Sequence, residues 1–373
     1  MSNERFTYID GLRGIAIAGV IITHAASITH IDGISNYLAS IGGMGVQLFF
    51  VISAFTIFYT LSKTDGQPFQ FRDFYIRRLF RIIPIYWLGI ILYTLVYGME
   101  SRGWREGPEL WHYPYHILLV NTFHPLTSSS VVPGGWSISC EVMFYMLVPV
   151  LYKYFNTNKK ILVLMLIALF VLPVGNYLLN KYASTHWLAG YEKSVTNNFF
   201  YRWIPSQLAC FGFGMILYRI WRKGTYQHII SKRSTNLMLV GVVSLLLLVV
   251  KKFSVPLPQT HHVYALLFMI LALLLSAYPW KLYVNKFTVF LGKISYSGYL
   301  IHFLVIKQVT LAMEQYTPQL TTGPLYFPIV TLAGFAFTIP LAYISYKYLE
   351  LSSVSWGKAL IKRLSRSREL AVN

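Results

Sequence analysis

The chain has 373 residues, of which 55% are hydrophobic and 12% charged, with a formal net charge of +19 and a mean hydropathy of +0.51. Soluble domains carry roughly 25% charged residues, so this composition excludes a soluble globular enzyme and describes an integral membrane protein. The positive charge does not point to nucleic acid, because Lys and Arg are spread over many short loops and not gathered on one face or tail.

Apolar windows near the ~20 residues needed to cross a hydrocarbon core occur at 11–30, 43–61, 82–98, 136–152, 161–180, 203–221, 235–250, 263–279, 289–311 and 325–346. They predict an all-α polytopic membrane bundle of about ten transmembrane helices. The first window contains Arg13 and His24 and reads as an uncleaved helix, not a signal peptide. Residues 115–123, between Pro114 and Pro125, are too short to cross and are expected to be a re-entrant or interfacial segment. With both termini cytoplasmic, 24 of the 32 Lys and Arg, from Arg5 to Arg368, fall on the cytoplasmic side, as the orientation bias of basic residues requires. A transmembrane domain at residues 1–350 then precedes a basic cytoplasmic tail at 351–373. Cys140 and Cys210 lie in apolar windows without metal or redox spacing. No Walker loop, GxGxxG turn, HExxH helix or internal repeat is present, so no metal site is expected.

An ionisable group inside a bilayer is costly enough to be a functional candidate by default. Arg13 and His24, in "GLRGIAIAGVIITHA", are separated by about 16 Å along a helix. This places the arginine at the membrane edge and the imidazole near the middle, where a neutral imidazole can act as general base. A structural histidine and a topology-setting arginine fit the same pattern. In "FRDFYIRRLFRIIPIYW", residues 71–87, four arginines precede a span that Pro84 is placed to open. Arg77 and Arg81 share a helix face and suit an anionic, phosphorylated ligand or, equally, lipid headgroups.

"GGWSISCEVMFYMLVP", residues 134–149, holds Glu141 with Ser137 on its helix face and Trp136 and Tyr145 nearby. A buried carboxylate has to be paired or protonated, whether for chemistry or for packing. In "LGKISYSGYLIHFLV", residues 291–305, Tyr296, Tyr299 and His302 recur at helical spacing, as a polar lining or a core aromatic stripe. Trp104, Trp111 and Trp187 in the loops suit sugar stacking or interfacial anchoring.

Together these segments resemble the integral-membrane acyltransferase type-three family, which acylates bacterial surface polysaccharides and related glycans. The resemblance rests on "YIDGLRGIA" with its Arg13 and His24 spacing, "FFVISAFTIFYTL", "RRLFRIIPIYWL", "WSISCEVMFYMLVP" and "LGKISYSGYLIH", in family order across residues 6–305. Ala54 stands where the family usually has Gly, and Cys140 and Val142 flank Glu141 where a second Glu is common. The resemblance implies a membrane O-acyltransferase that moves an acetyl group from cytoplasmic acetyl-CoA to a sugar hydroxyl of an O-antigen, exopolysaccharide or similar glycan. Arg13, Arg77, Arg78 and Arg81 would hold the CoA phosphates. His24 would serve as base or as an acyl relay, with Glu141 supporting its imidazole and Ser137, Trp136, Tyr296 and His302 lining the site.

The same resemblance implies the bacterial inner membrane, a lipid-linked or nascent polysaccharide acceptor, membrane lipid around the bundle and no nucleic acid. It leaves a homo-oligomer open. The chain ends soon after the last span, so transfer is expected to finish within the membrane domain, without the extracytoplasmic hydrolase-like domain of some members. From the residues alone, a proton-coupled transporter or flippase for lipid-linked sugars would use the same buried His and Glu.

Overall fold

The computed structural model describes residues 6–102, 107–224, 226, 231–252 and 259–372; Arg5 and Trp104 lie outside them. Among the described residues there are helices and no strands. The order begins α1 (Thr7–Thr29), α2 (Gly33–Gly42), α3 (Gly45–Lys63), α4 (Gln70–Tyr97), α5 (His112–Ile117), α6 (Gly135–Tyr154), α7 (Asn158–Leu166) and, after a π turn at Ile167–Val171, α8 (Leu172–Thr185). It continues through α9 (Lys193–Arg202), α10 (Ile204–Lys223), α11 (Lys232–Lys252), α12 (Thr260–Ala277), α13 (Lys286–Lys293), α14 (Ser295–Tyr316) and α15 (Tyr326–Ser345). A second π turn, Tyr346–Glu350, leads into α16 (Leu351–Val372). Every expected apolar window lies on a helix. Among the described residues, seven helical stretches are long and apolar enough to cross a membrane, or eight if α13 and α14, bent by 80°, form one span. The 20-residue α10 and 21-residue α11 are each about 30 Å long.

Between apolar helices in lipid no hydrophobic drive remains, so close backbone approach through small residues does the packing. A Cβ on Gly14 of α1 would collide with the Thr288 carbonyl of α13, and one on Gly292 of α13 with the Asp10 carbonyl of α1. The glycines of "DGLRG" therefore bring α1 and α13 into backbone contact. This fixes the bend that sends α14 back beside α1.

Pro84, Pro149 and Pro340 lie inside helices, and each leaves a carbonyl without its intrahelical donor; the first two are met from neighbouring helices. Pro84 does not open a helix: α4 begins at Gln70 and runs through it. The carbonyl that Pro84 abandons, on Phe80, accepts from Ser353 Oγ of α16. Pro149 in α6 likewise frees the Tyr145 carbonyl, which accepts from Tyr75 Oη of α4 at 3.3 Å. The first turns of the C-terminal segment are thus helical and lie on α4, where Gly357 approaches Phe80.

Residues 115–123 contain no crossing helix. The six-residue α5 is followed by turns in which Asn121, Thr127, Val131 and Val132 are all buried, so the segment folds back into the bundle. At its end Gly134 adopts φ +73°, and a Cβ there would lie 2.9 Å from Tyr299 Oη. That turn starts α6 in the interior of the protein.

Candidate active site

A narrow cavity of about 80 Å³ lies between α1, α3, α4, α6 and α14, roughly room for half a dozen waters. Arg13 enters it from α1, and Arg78 and Arg81 from α4. At about 100° per residue Arg81 lies between Arg77 and Arg78 on the helix surface, and the cavity falls on the Arg78 side, so Arg78 and Arg81 line it and Arg77 does not. Arg72 is paired to Asp73 at 2.8 Å. The Arg78 guanidinium sits 5.6 Å over the Tyr145 ring. Arg13 lies 3.9 Å from Asp10 and Arg81 3.9 Å from Glu350, separations longer than a hydrogen bond. The cavity end thus presents three cations whose fork donors suit phosphate.

Glu141 lines the same cavity. Its Oε1 accepts from Tyr145 Oη at 2.6 Å and from Ser53 Oγ. No hydrogen bond joins it to His24 among the described residues, so it belongs with the arginine end and not with the imidazole. One turn earlier on α6, Ser137 Oγ donates to Tyr299 Oη at 2.9 Å, and Tyr299 donates to the Gly134 carbonyl at 3.1 Å. Tyr296 Oη is held by the Ile82 carbonyl at 2.8 Å.

The polar line continues from Tyr299. Its ring centroid is 5.6 Å from that of His302, which is 5.3 Å from that of His24. His302 is fully buried; its Nδ1 donates to Gly298 O at 3.3 Å, and its Nε2 has no partner among the described residues. Phe303 packs on His24 at 4.2 Å. The structure therefore brings Arg13, Arg78, Arg81, Ser137, Glu141 and Tyr296 together around one cavity, with His302 and His24 in tilted ring contact beyond Tyr299. Trp136 stands behind Ser137, with the Arg202 guanidinium 6.0 Å over its ring.

Sequence reasoning missed Glu350. It was counted as the end of the membrane domain, yet it is 4% exposed and accepts from Ser297 Oγ at 3.2 Å while facing Arg81. A lone carboxylate within one helical stretch, Tyr326–Ser365, was the available signal. His116, also missed, anchors the re-entrant segment: Tyr86 Oη donates to its Nδ1 at 2.8 Å, and its Nε2 donates to Thr127 O at 2.7 Å. Burial pushes its pKa down to about 3, so the ring stays neutral. Trp111 packs on His112 and His124, and Trp187 on Phe199; neither lines the cavity.

Fold and site define a multi-pass membrane protein whose charged cleft leads toward two imidazoles, His302 buried and His24 half-buried. The family described as Acyltransferase domain matches residues 6–344, and the chain belongs to that family. It is 25% identical over 374 residues to the O-acetyltransferase OatA of Staphylococcus aureus, across 92% of this chain and 56% of OatA. It is 25% identical over 266 residues to ORF330 of Acidianus two-tailed virus, named as a candidate acetyltransferase, across 71% of this chain and 73% of that protein. A third relative is YrhL of Bacillus subtilis, named as a candidate peptidoglycan O-acetyltransferase, 28% identical across 38% of this chain and 23% of YrhL. The chain thus spans about half the length of OatA and a quarter of YrhL. No solved structure matches it.

Proposed function

We propose that this protein is a membrane O-acetyltransferase that takes its acyl group from acetyl-CoA on the cytoplasmic side and gives it to a sugar hydroxyl of a surface or exported polysaccharide. The observation that supports this reading best is the unbroken series of polar side chains from Arg13, Arg78 and Arg81 through Ser137 and Tyr299 to His302 and His24. In this reading both chain termini face the cytoplasm of a bacterial inner membrane. The arginines hold the phosphates of the donor, and the narrow cavity marks the path of its thioester arm into the bundle. Glu141 and Glu350 balance the arginines and fix their directions.

His24 then takes the proton of the acceptor hydroxyl as its oxygen attacks the thioester carbonyl. The C–S bond breaks, the ester forms, and the imidazolium returns the proton to the leaving thiolate. Enclosure by the bundle keeps water from the thioester.

The test is proton NMR of surface polysaccharide from cells lacking the protein, complemented with wild type or with His24→Ala. Acetyl signals restored by wild type alone support the reading. Normal acetylation in the deletion strain, with polysaccharide depleted from the surface, would instead establish a flippase for lipid-linked sugars.

A further inference from the structure

A second cavity, of about 620 Å³ and open on one side, is lined by α8, α9, α10 and the residues that open α12, within the ~300–1,000 Å³ typical of small-molecule sites. It lies where α10 begins. Phe6, just ahead of α1, packs on Trp221 near the end of α10, so this cavity is at the opposite end of the bundle from the start of α1.

Its chemistry is unlike that of the first cavity. Among the described residues no Lys, Arg, Asp or Glu lines it; amides, hydroxyls and aromatic rings do, beside Pro173 and Val174. Asn180 Nδ2 donates to Asn197 Oδ1 at 2.9 Å, which fixes the Asn197 amide and leaves its own N–H donors for a ligand. Ser206, 1% exposed, has an Oγ without a hydrogen-bond partner among the described residues, and so does Gln259 Oε1. Buried polar atoms without partners are rare and costly, and both residues belong to the cavity wall.

The wall toward the first cavity is held rigidly. Gln47 Nε2 donates to Tyr201 Oη at 3.0 Å and to Gln207 Oε1 at 3.2 Å, and Gln207 Nε2 donates to Tyr201 O at 2.7 Å. The ring so fixed meets Trp136 at 5.7 Å, and Trp136 meets Phe50 of the first cavity at 6.2 Å.

We propose that this second cavity is an acceptor subsite, which holds a neutral sugar unit of the glycan next to the unit being acylated. The proposal rests on the acyl-transfer reading above. Phosphate and carboxylate ligands call for cationic partners, which this lining lacks. An acyl chain would leave Ser206 and Gln259 unsatisfied. A sugar's hydroxyls both donate and accept, matching Asn197, Ser206 and Gln259, while the faces of Tyr177 and Tyr201 suit its C–H surface.

The probe is an oligosaccharide fraction cut from the unacetylated polysaccharide of cells lacking the protein. Its binding to the purified full-length protein is followed by saturation-transfer NMR, and acetyl transfer to it is measured in parallel. Asn197→Ala combined with Gln259→Ala is expected to weaken binding and raise the oligosaccharide KM about tenfold to a hundredfold, the loss of two modest hydrogen bonds, with kcat and the acetyl-CoA KM unchanged. Asn197→Ala alone, at an exposed position, guards against a folding defect and is expected to show part of the same shift. Wild-type binding and KM in both variants would overturn the subsite, as would wild-type protein that binds no oligosaccharide. Wild-type protein that binds the oligosaccharide, loses it in the variants, yet transfers no acetyl group, would uphold the cavity as a sugar site and overturn the acyl-transfer reading instead.

Discussion

The two cavities share the wall formed by Trp136 and Tyr201, yet they are built from different chemistry. One gathers Arg13, Arg78, Arg81 and Glu141, with Glu350 behind; the other is lined by Asn180, Asn197, Ser206 and Gln259 without a formal charge. Charges within a bundle are costly and are retained where an anionic ligand repays them. Neutral amides cost less and suit ligands that carry hydroxyls. The contrast is what a transferase needs if one substrate is a polyphosphate thioester and the other a neutral glycan.

The largest effect that would break this division comes from the arginines. Arg78→Ala together with Arg81→Ala is expected to raise the KM for acetyl-CoA by about a hundredfold or more, since hydrogen bonds to charged groups are worth ~1.5–3 kcal/mol each. Oligosaccharide binding is expected to stay at its wild-type level. A loss of sugar binding in that variant would mean that the two sites are not separate.

A smaller effect is expected from Glu350→Gln, which keeps the shape but removes the charge facing Arg81. The KM for acetyl-CoA should rise roughly threefold to tenfold as Arg81 loses its orientation, with kcat nearly unchanged. A fall in kcat at constant KM would place Glu350 in the chemistry instead. The smallest effect concerns His116, whose pKa of about 3 in the fold lies below the ordinary 6.5. The unfolded chain takes the proton first, so the stability from this group is full above about pH 6.5 and declines as pH falls toward 3. His116→Gln should flatten the acid side of a thermal-stability profile without altering transfer at neutral pH. An unchanged acid slope would contradict the assignment.

Most of the bundle was legible because the bilayer enforces it. Long apolar windows must become helices, and all ten did. The arginine and glutamate cluster was legible for the same reason: "RRLFRII" and "SCEVMF" put charges where lipid would reject them. Which arginines face the cavity was not, since that depends on which helices pack against α4, and Pro84 concealed its start at Gln70. Ser353, on a segment read as a tail, takes the carbonyl that Pro84 abandons, a compensation between residues far apart in sequence. Glu350 was missed because the last expected window ends at 346, four residues before it. The neutral cavity left no trace at all, for Asn, Gln and Ser are unremarkable singly and converge here from several helices. The pairing of Glu141 with Ser53 and Tyr145, not with His24, likewise depends on which helices meet.

The most direct test of the central claim uses purified full-length protein, acetyl-CoA labelled in its acetyl group, and the unacetylated oligosaccharide, with label transfer measured for wild type and His24→Ala. The account predicts labelled ester on the sugar with wild type and a fall of about a hundredfold to ten-thousandfold in the variant, the range for loss of a general base. Transfer at the wild-type rate by His24→Ala would contradict it.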